Sequence, residues 1–278
     1  MPIALPKELT AGQTEPVPEL LQPYENFPKK ITGPTVWQAE DFRSRPDLWQ
    51  RQWTPELIQQ LEEAFDKFEA SGKTLPEINK STFPLPTEVV EFLSSIRQEV
   101  VNGQGFILIE GLPVADWPVF KSAAIYLAIG TIFGNTLSQN GKGHVLGHVK
   151  VGISCLYIGM VSIADEDRTS ARQYFHCDAA DIVGLLCLHK ALEGGESDVV
   201  SSHNLWNTLQ AERPDVAELL AKPNWYFDRK GEVSEGQKPW VQRASQGGWK
   251  RPFPDSANEK RGGIQVNDQE ETCPLDAE

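Results

Sequence analysis

The sequence has few of the features that define several large classes of protein. Only four of its 278 residues are cysteine, and Cys155, Cys177, Cys187 and Cys273 form no CxxC pair. This spacing excludes a zinc ribbon and favours reduced thiols over a disulfide framework, as is typical of intracellular proteins. Residues 1–20 contain no basic segment followed by an apolar one, and no apolar run is long enough to span a bilayer. We therefore expect a cytoplasmic protein with no membrane partner.

Positive charge is also scarce. The chain has 26 Lys and Arg against 39 Asp and Glu, which gives a formal net charge of −13. Proteins that bind nucleic acid neutralise phosphates with Lys and Arg, so we expect no nucleic-acid partner. With 40% hydrophobic and 23% charged residues, the chain has the composition of an ordinary globular protein of one or two domains.

Histidine is rare, and the C-terminal part of the chain has none. The five histidines are residues 144, 148, 176, 189 and 203. His144 and His148 would share one face of a helix, but Gly143 and Gly147 interrupt a helix and the neighbouring valines favour a strand. On a strand the two residues would lie about 13 Å apart, at roughly 3.3 Å per residue. This distance excludes a zinc site that uses both.

One stretch, from Phe175 to Ser202, carries a pattern that indicates chemistry. It contains an HxD triplet, His176-Cys177-Asp178, followed by an apolar run from Ile182 to Leu188 that predicts a strand buried on both faces. Residues i and i+2 of an extended chain point to the same side, so the imidazole and the carboxylate can reach one metal ion. They would supply two of the three ligands of a 2-His-1-carboxylate site, the usual holder of non-haem Fe(II) in oxygenases. An HxD triplet alone also occurs by chance in many chains.

The order of features around this triplet resembles the TauD/TfdA family of Fe(II)/2-oxoglutarate-dependent dioxygenases. The matching parts are His176 and Asp178, Asp181, the run Ile182–Leu188 and the turn Gly194-Gly195-Glu196-Ser197. The resemblance covers roughly residues 33–242. It implies an α+β fold with a mainly β core, which is a double-stranded β-helix of the jelly-roll type flanked by helices.

The resemblance also implies a cofactor and a reaction. Fe(II) would be bound by His176 and Asp178 as metal ligands and catalytic residues, with 2-oxoglutarate and O₂ as cosubstrates. Oxidative decarboxylation of 2-oxoglutarate to succinate and CO₂ would drive hydroxylation or desaturation of a small organic substrate. Ser197 and Asn140 are the expected cosubstrate contacts, although an ordinary turn residue is the alternative interpretation of both.

The sequence departs from the family at its C-terminal end. The family takes a third iron ligand from a downstream His and binds 2-oxoglutarate with an Arg shortly after it, but no His follows His203. Three explanations are open: a truncated or mis-spliced chain, a catalytically inactive homologue that acts as a binding or interaction protein, or an unusual ligand such as Asp268, Glu270 or Cys273. A cupin-like binding protein without redox chemistry is a further alternative.

These features divide the chain into a Pro-rich N-terminal arm (1–32), a partial dioxygenase domain (33–242) and an irregular or disordered tail (243–278). Within the domain, sequence patterns predict helices that begin at Thr54-Pro55, near Thr87, at Pro118 and at Pro214, a helix around Trp206, and strands near residues 105–111 and 224–228.

Overall fold

The computed structural model describes residues 23–136, 145–149, 175–178, 180–222, 225–228, 238–243 and 261–268. The helices in these ranges are α1 (Glu40–Arg43), α2 (Pro46–Trp49), α3 (Pro55–Ala70), α4 (Thr87–Asn102), α5 (Val119–Phe133), α6 (Ser202–Glu212) and α7 (Pro214–Ala221). The strands are β1 (Gln50–Gln52), β2 (Leu108–Glu110), β3 (Asn135–Thr136), β4 (Gly147–Val149), β5 (Ile182–His189), β6 (Trp225–Asp228), β7 (Trp240–Arg243) and β8 (Arg261–Asp268). None of the helices described is long and apolar enough to cross a membrane.

The long helices begin where the sequence predicts. The Thr54 hydroxyl accepts a hydrogen bond from the Leu57 backbone N–H, and Pro55 occupies the first turn of α3. Both features stabilise a helix start, because the first backbone N–H groups have no partner inside the helix. α4 begins at Thr87 and α7 begins at Pro214, which confirms those predictions.

The main hydrophobic core of the described residues lies between helices. α3, α4 and α5 contribute most of its buried members, which include Leu61, Phe65, Phe68, Val89, Leu93, Ala124, Ile125 and Ala128. α5 is buried at every position from Ser122 to Ile129. The expected mainly β core is therefore not what these ranges show. The reason is that three helices bury most of the large apolar side chains, while the strands are short.

The largest sheet is parallel and uses a strand from the tail. β8 pairs in parallel with β3, β4 and β5, whereas jelly rolls are antiparallel. The ranges described therefore do not show a double-stranded β-helix. The expectation of an irregular tail is wrong for Arg261–Asp268. Ile264 and Val266 are the only large apolar residues in that strand, too few to give a clear period of two.

β5 is covered on one face and exposed on the other. Leu186 and Leu188 pack against Tyr126 and Leu127 of α5, while Val183 and Leu185 are 41% and 51% exposed. The prediction that this strand is buried on both faces is therefore wrong for the residues that the structure describes. The run Ile182–Leu188 is apolar at every position, but only the face towards α5 has a described partner.

The described part of the N-terminal arm lies against α6 and α7. Tyr24, Phe27 and Ile31 pack around the fully buried Trp206. The Trp206 indole N–H donates a 2.8 Å hydrogen bond to the Pro28 carbonyl. Residues 23–32 are therefore held by packing and hydrogen bonds.

Candidate functional site

The HxD triplet lies just before β5, in a short exposed segment. His176 Nε2 and Asp178 Oδ1 are 3.6 Å apart, and their side chains are 56% and 38% exposed. Phe175 beside them is also exposed. The structure therefore brings the two predicted ligands together on one side of the chain, where a small molecule can reach them.

The separation of these two atoms suits a shared metal ion. Protein nitrogen and oxygen ligands bind first-row metals at about 2.0–2.2 Å, so two ligands of one ion lie about 3–4 Å from each other. The distance of 3.6 Å between His176 Nε2 and Asp178 Oδ1 falls in that range. An imidazole with a carboxylate is also the donor set expected for non-haem iron.

The third donor is not among the described residues at this site. No group of three or more His, Cys, Asp or Glu side chains in those ranges could hold a metal ion. Asp268 is paired in register with His189, at the opposite end of β5 from the triplet. At roughly 3.3 Å per residue, the length of β5 separates the two ends by about 23 Å. Asp268 is therefore a poor candidate, while Glu270 and Cys273 lie outside the described residues.

His203 occupies a different place from the triplet. It lies in the first turn of α6, and its Nδ1 is 2.5 Å from the Thr35 hydroxyl oxygen. The neighbouring Ser201 hydroxyl donates to the Thr35 carbonyl at 2.6 Å. Burial lowers the pKa of His203, because a charged imidazole is poorly solvated there. These contacts tie the segment around Thr35 to the start of α6 and give His203 a structural role.

Of the two expected cosubstrate contacts, only Ser197 lies in the described residues, and it is at the opposite end of β5 from the triplet. Ser197 is exposed and follows the C-terminal end of β5, beyond the Gly194-Gly195 turn, where both glycines have positive φ. His176 and Asp178 precede the N-terminal end of the same strand. Asn140 lies outside the described residues.

A close contact between Tyr126 of α5 and Gly184 of β5 was not predicted from the sequence. The Tyr126 hydroxyl oxygen lies where a side chain at Gly184 would be, 2.7 Å from the position of a Cβ. Gly184 is the one glycine in the apolar run of β5. A glycine inside a strand often marks the close approach of another group, so this residue was the available signal.

Comparison with known proteins identifies the chain's relatives. A protein-family model described as "Taurine catabolism dioxygenase TauD, TfdA family" matches residues 54–272. FR-33289 synthase of Streptomyces rubellomurinus is 26% identical over 228 residues, which cover 79% of this chain and 63% of that protein. The taurine hydroxylase-like protein SAT17 of Stachybotrys chartarum is 28% identical over 209 residues, which cover 72% of this chain and 52% of that protein. The chain thus spans between about half and two thirds of the length of these relatives.

The family match corrects the expected extent of the resemblance. It begins at residue 54 rather than 33, and it continues to residue 272 instead of stopping near 242. β8 therefore lies inside the matched region. Because the match covers more than half of the sequence and includes the HxD triplet, the chain belongs to the TauD, TfdA family of dioxygenases.

Proposed function

We propose that this chain is an Fe(II)/2-oxoglutarate-dependent dioxygenase that oxidises a small organic substrate. The observation that carries the proposal is the 3.6 Å separation of His176 Nε2 and Asp178 Oδ1 in a member of this family. These side chains would hold the iron. With 2-oxoglutarate and O₂, the iron would supply oxidative decarboxylation and the oxidation of a substrate C–H bond.

The chain's own residues would bind and orient the reactants. Asp178 brings a negative charge that offsets part of the charge of Fe(II), and His176 contributes a neutral nitrogen donor. Because both side chains are partly exposed, they leave open the side from which 2-oxoglutarate and the substrate would arrive. Asn140 and Ser197 are the proposed cosubstrate contacts, and for Ser197 this role requires the loop after β5 to return towards the triplet.

Family membership also supports a proposal about the fold. We propose that β5 is one strand of a double-stranded β-helix whose interior faces the exposed side of Val183 and Leu185. That side would otherwise leave a stripe of apolar surface in contact with water, which is unfavourable.

A second candidate is a homologue that binds a small molecule without turnover. It is favoured by the finding that the described residues provide only two of the three expected metal ligands. Under this alternative, metal binding is weak and 2-oxoglutarate is not consumed.

An anaerobic titration tests the proposal. Fe(II) is added to the purified chain, followed by 2-oxoglutarate, and the visible absorption of the bound metal is recorded at each step. We expect 2-oxoglutarate to change that spectrum, and we expect succinate to form when O₂ is admitted. His176→Ala and Asp178→Ala should each remove the spectral change and the succinate.

Asp198→Ala is the matched control, because it removes an exposed carboxylate from the loop after β5. It should leave both signals in place. A metal spectrum that 2-oxoglutarate never alters would exclude the dioxygenase and support the binding protein. Loss of the signals in Asp198→Ala would show that charge alone, and not the triplet, controls binding.

A further inference from the structure

The segment that carries the two proposed iron ligands lies at the surface of the described residues. Every residue from Phe175 to Asp178 is exposed. A metal site needs its ligands held to within about 0.5 Å, so something outside the segment must fix their position. The next described element along the chain is β5, which begins four residues after Asp178.

One face of β5 packs against α5. Leu186 and Leu188 pack against Tyr126 and Leu127, which lie in the fully buried part of the helix. Two residues closer to the triplet than Leu186, the same face of the strand carries Gly184, which presents no side chain. The Tyr126 ring fills the space there, with its hydroxyl oxygen 2.7 Å from where a Cβ would be.

The Tyr126 hydroxyl is too close to the backbone of residue 184 for a residue with a Cβ to fit there without a shift. Carbon and oxygen atoms in van der Waals contact are more than 3 Å apart, so an added methyl group must push the ring and the strand apart. The backbone of Gly184 lies in a regular strand and has no positive φ. The glycine is therefore required by the proximity of Tyr126 and not by its own conformation.

We infer that Tyr126 is a positioning residue for the proposed metal centre, acting through its contact with Gly184 at the N-terminal part of β5. The inference rests on the proposed function, because it assumes that His176 and Asp178 bind a metal. Tyr126 sets the distance between α5 and the strand, and the strand carries the two ligands. A shift of β5 relative to the rest of the core would move both ligands together.

A double-mutant cycle tests this inference, with Co(II) as the probe. Gly184→Ala, Tyr126→Phe and the double variant are titrated with Co(II), and its visible absorption gives the affinity. We expect Gly184→Ala to weaken binding about tenfold, the size of effect seen for supporting residues of metal sites. Tyr126→Phe should bind within about threefold of the unmodified chain, and the double variant should resemble it, because removing the hydroxyl makes room for the methyl group.

Tyr226→Phe is the matched control, since it removes the hydroxyl of an exposed tyrosine in β6. Its affinity for Co(II) should not change. If Gly184→Ala fails to fold, Tyr126→Leu removes the contact from the helix side without adding volume to the strand. A folded Tyr126→Leu variant with reduced affinity supports the inference, and one with unchanged affinity overturns it.

The outcomes separate this inference from the proposed function. If the unmodified chain binds no Co(II), the proposed metal site is wrong and the inference fails with it. If the unmodified chain binds Co(II) and Gly184→Ala binds it equally well, only the inference is wrong. A double variant as weak as Gly184→Ala would also overturn it, because the loss would then not arise from the clash with Tyr126.

Discussion

At the scale of single residues, His203 makes the stability of the protein depend on pH. Burial lowers the pKa of its imidazole, while in the unfolded chain the pKa is about 6.5. Between these two values the unfolded chain binds a proton that the folded protein does not. The free energy of unfolding should therefore fall as the pH drops below about 6.5 and level off below the folded pKa.

Urea unfolding at pH 8 and at pH 5.5 measures this effect, and His203→Gln is the comparison. Hydrogen bonds from Arg45 and Arg213 lower the pKa of the Asp47 and Asp215 carboxyl groups, so these two groups add little to the difference between the two pH values. The unmodified chain should lose more stability between the two pH values than His203→Gln does. An equal loss in both would show that other groups cause the pH dependence.

At the scale of elements, the side chain of Asn207 joins the N-terminal arm to α6. Its amide oxygen accepts from the Ile31 backbone N–H at 2.7 Å, and its amide nitrogen donates to the Ile31 carbonyl at 2.8 Å. Asn207→Ala would leave both partly buried groups without this partner. We expect it to lower the free energy of unfolding by about 1–3 kcal/mol and to speed proteolysis within residues 23–37.

Thr208→Ala is the matched control for that variant. The Thr208 hydroxyl is exposed and donates to the Asn204 carbonyl within its own helix, so its loss should change stability by less than about 0.5 kcal/mol. Urea unfolding and timed trypsin digestion measure both variants. Equal stability in Asn207→Ala and Thr208→Ala would show that Asn207 does not hold the arm.

The elements that the sequence predicts well are those with local signals. α3 and α7 are marked by a cap residue or a proline at their start and by helical spacing of apolar residues, and both begin where expected. The pairing of Asn207 with Ile31 could not be predicted in this way, because the two residues are 176 positions apart. The exposed face of β5 escaped prediction for a similar reason, since apolar composition does not show which neighbours cover a strand.

The candidate site also has local features, which the sequence predicts, and long-range features, which it does not. The spacing of His176 and Asp178 is local, and it predicted that the two side chains would lie together. The roles of Gly184 and Tyr126 depend on how α5 packs against β5, which a linear pattern does not contain. The third metal ligand could not be predicted either, because it must come from another part of the fold.

At the scale of the whole molecule, the fold proposed from the family and the sheet of the described residues give β5 different neighbours. The strand pairs only with β8 among the described residues, in parallel, and its outer face is exposed. A strand in a closed double-stranded β-helix has a partner on both edges and a covered inner face. The backbone amides of β5 therefore distinguish the two arrangements.

Hydrogen exchange of the folded protein measures these amides. We propose a double-stranded β-helix, which places a second strand along the free edge of β5, so the amides of Ile182–His189 should all exchange slowly, at rates close to those of Ser122–Ile129 within α5. If β8 were the only partner, alternate amides of β5 would lack an acceptor and would exchange at least about tenfold faster than those of α5. That result would contradict the double-stranded β-helix and favour the parallel pairing seen among the described residues.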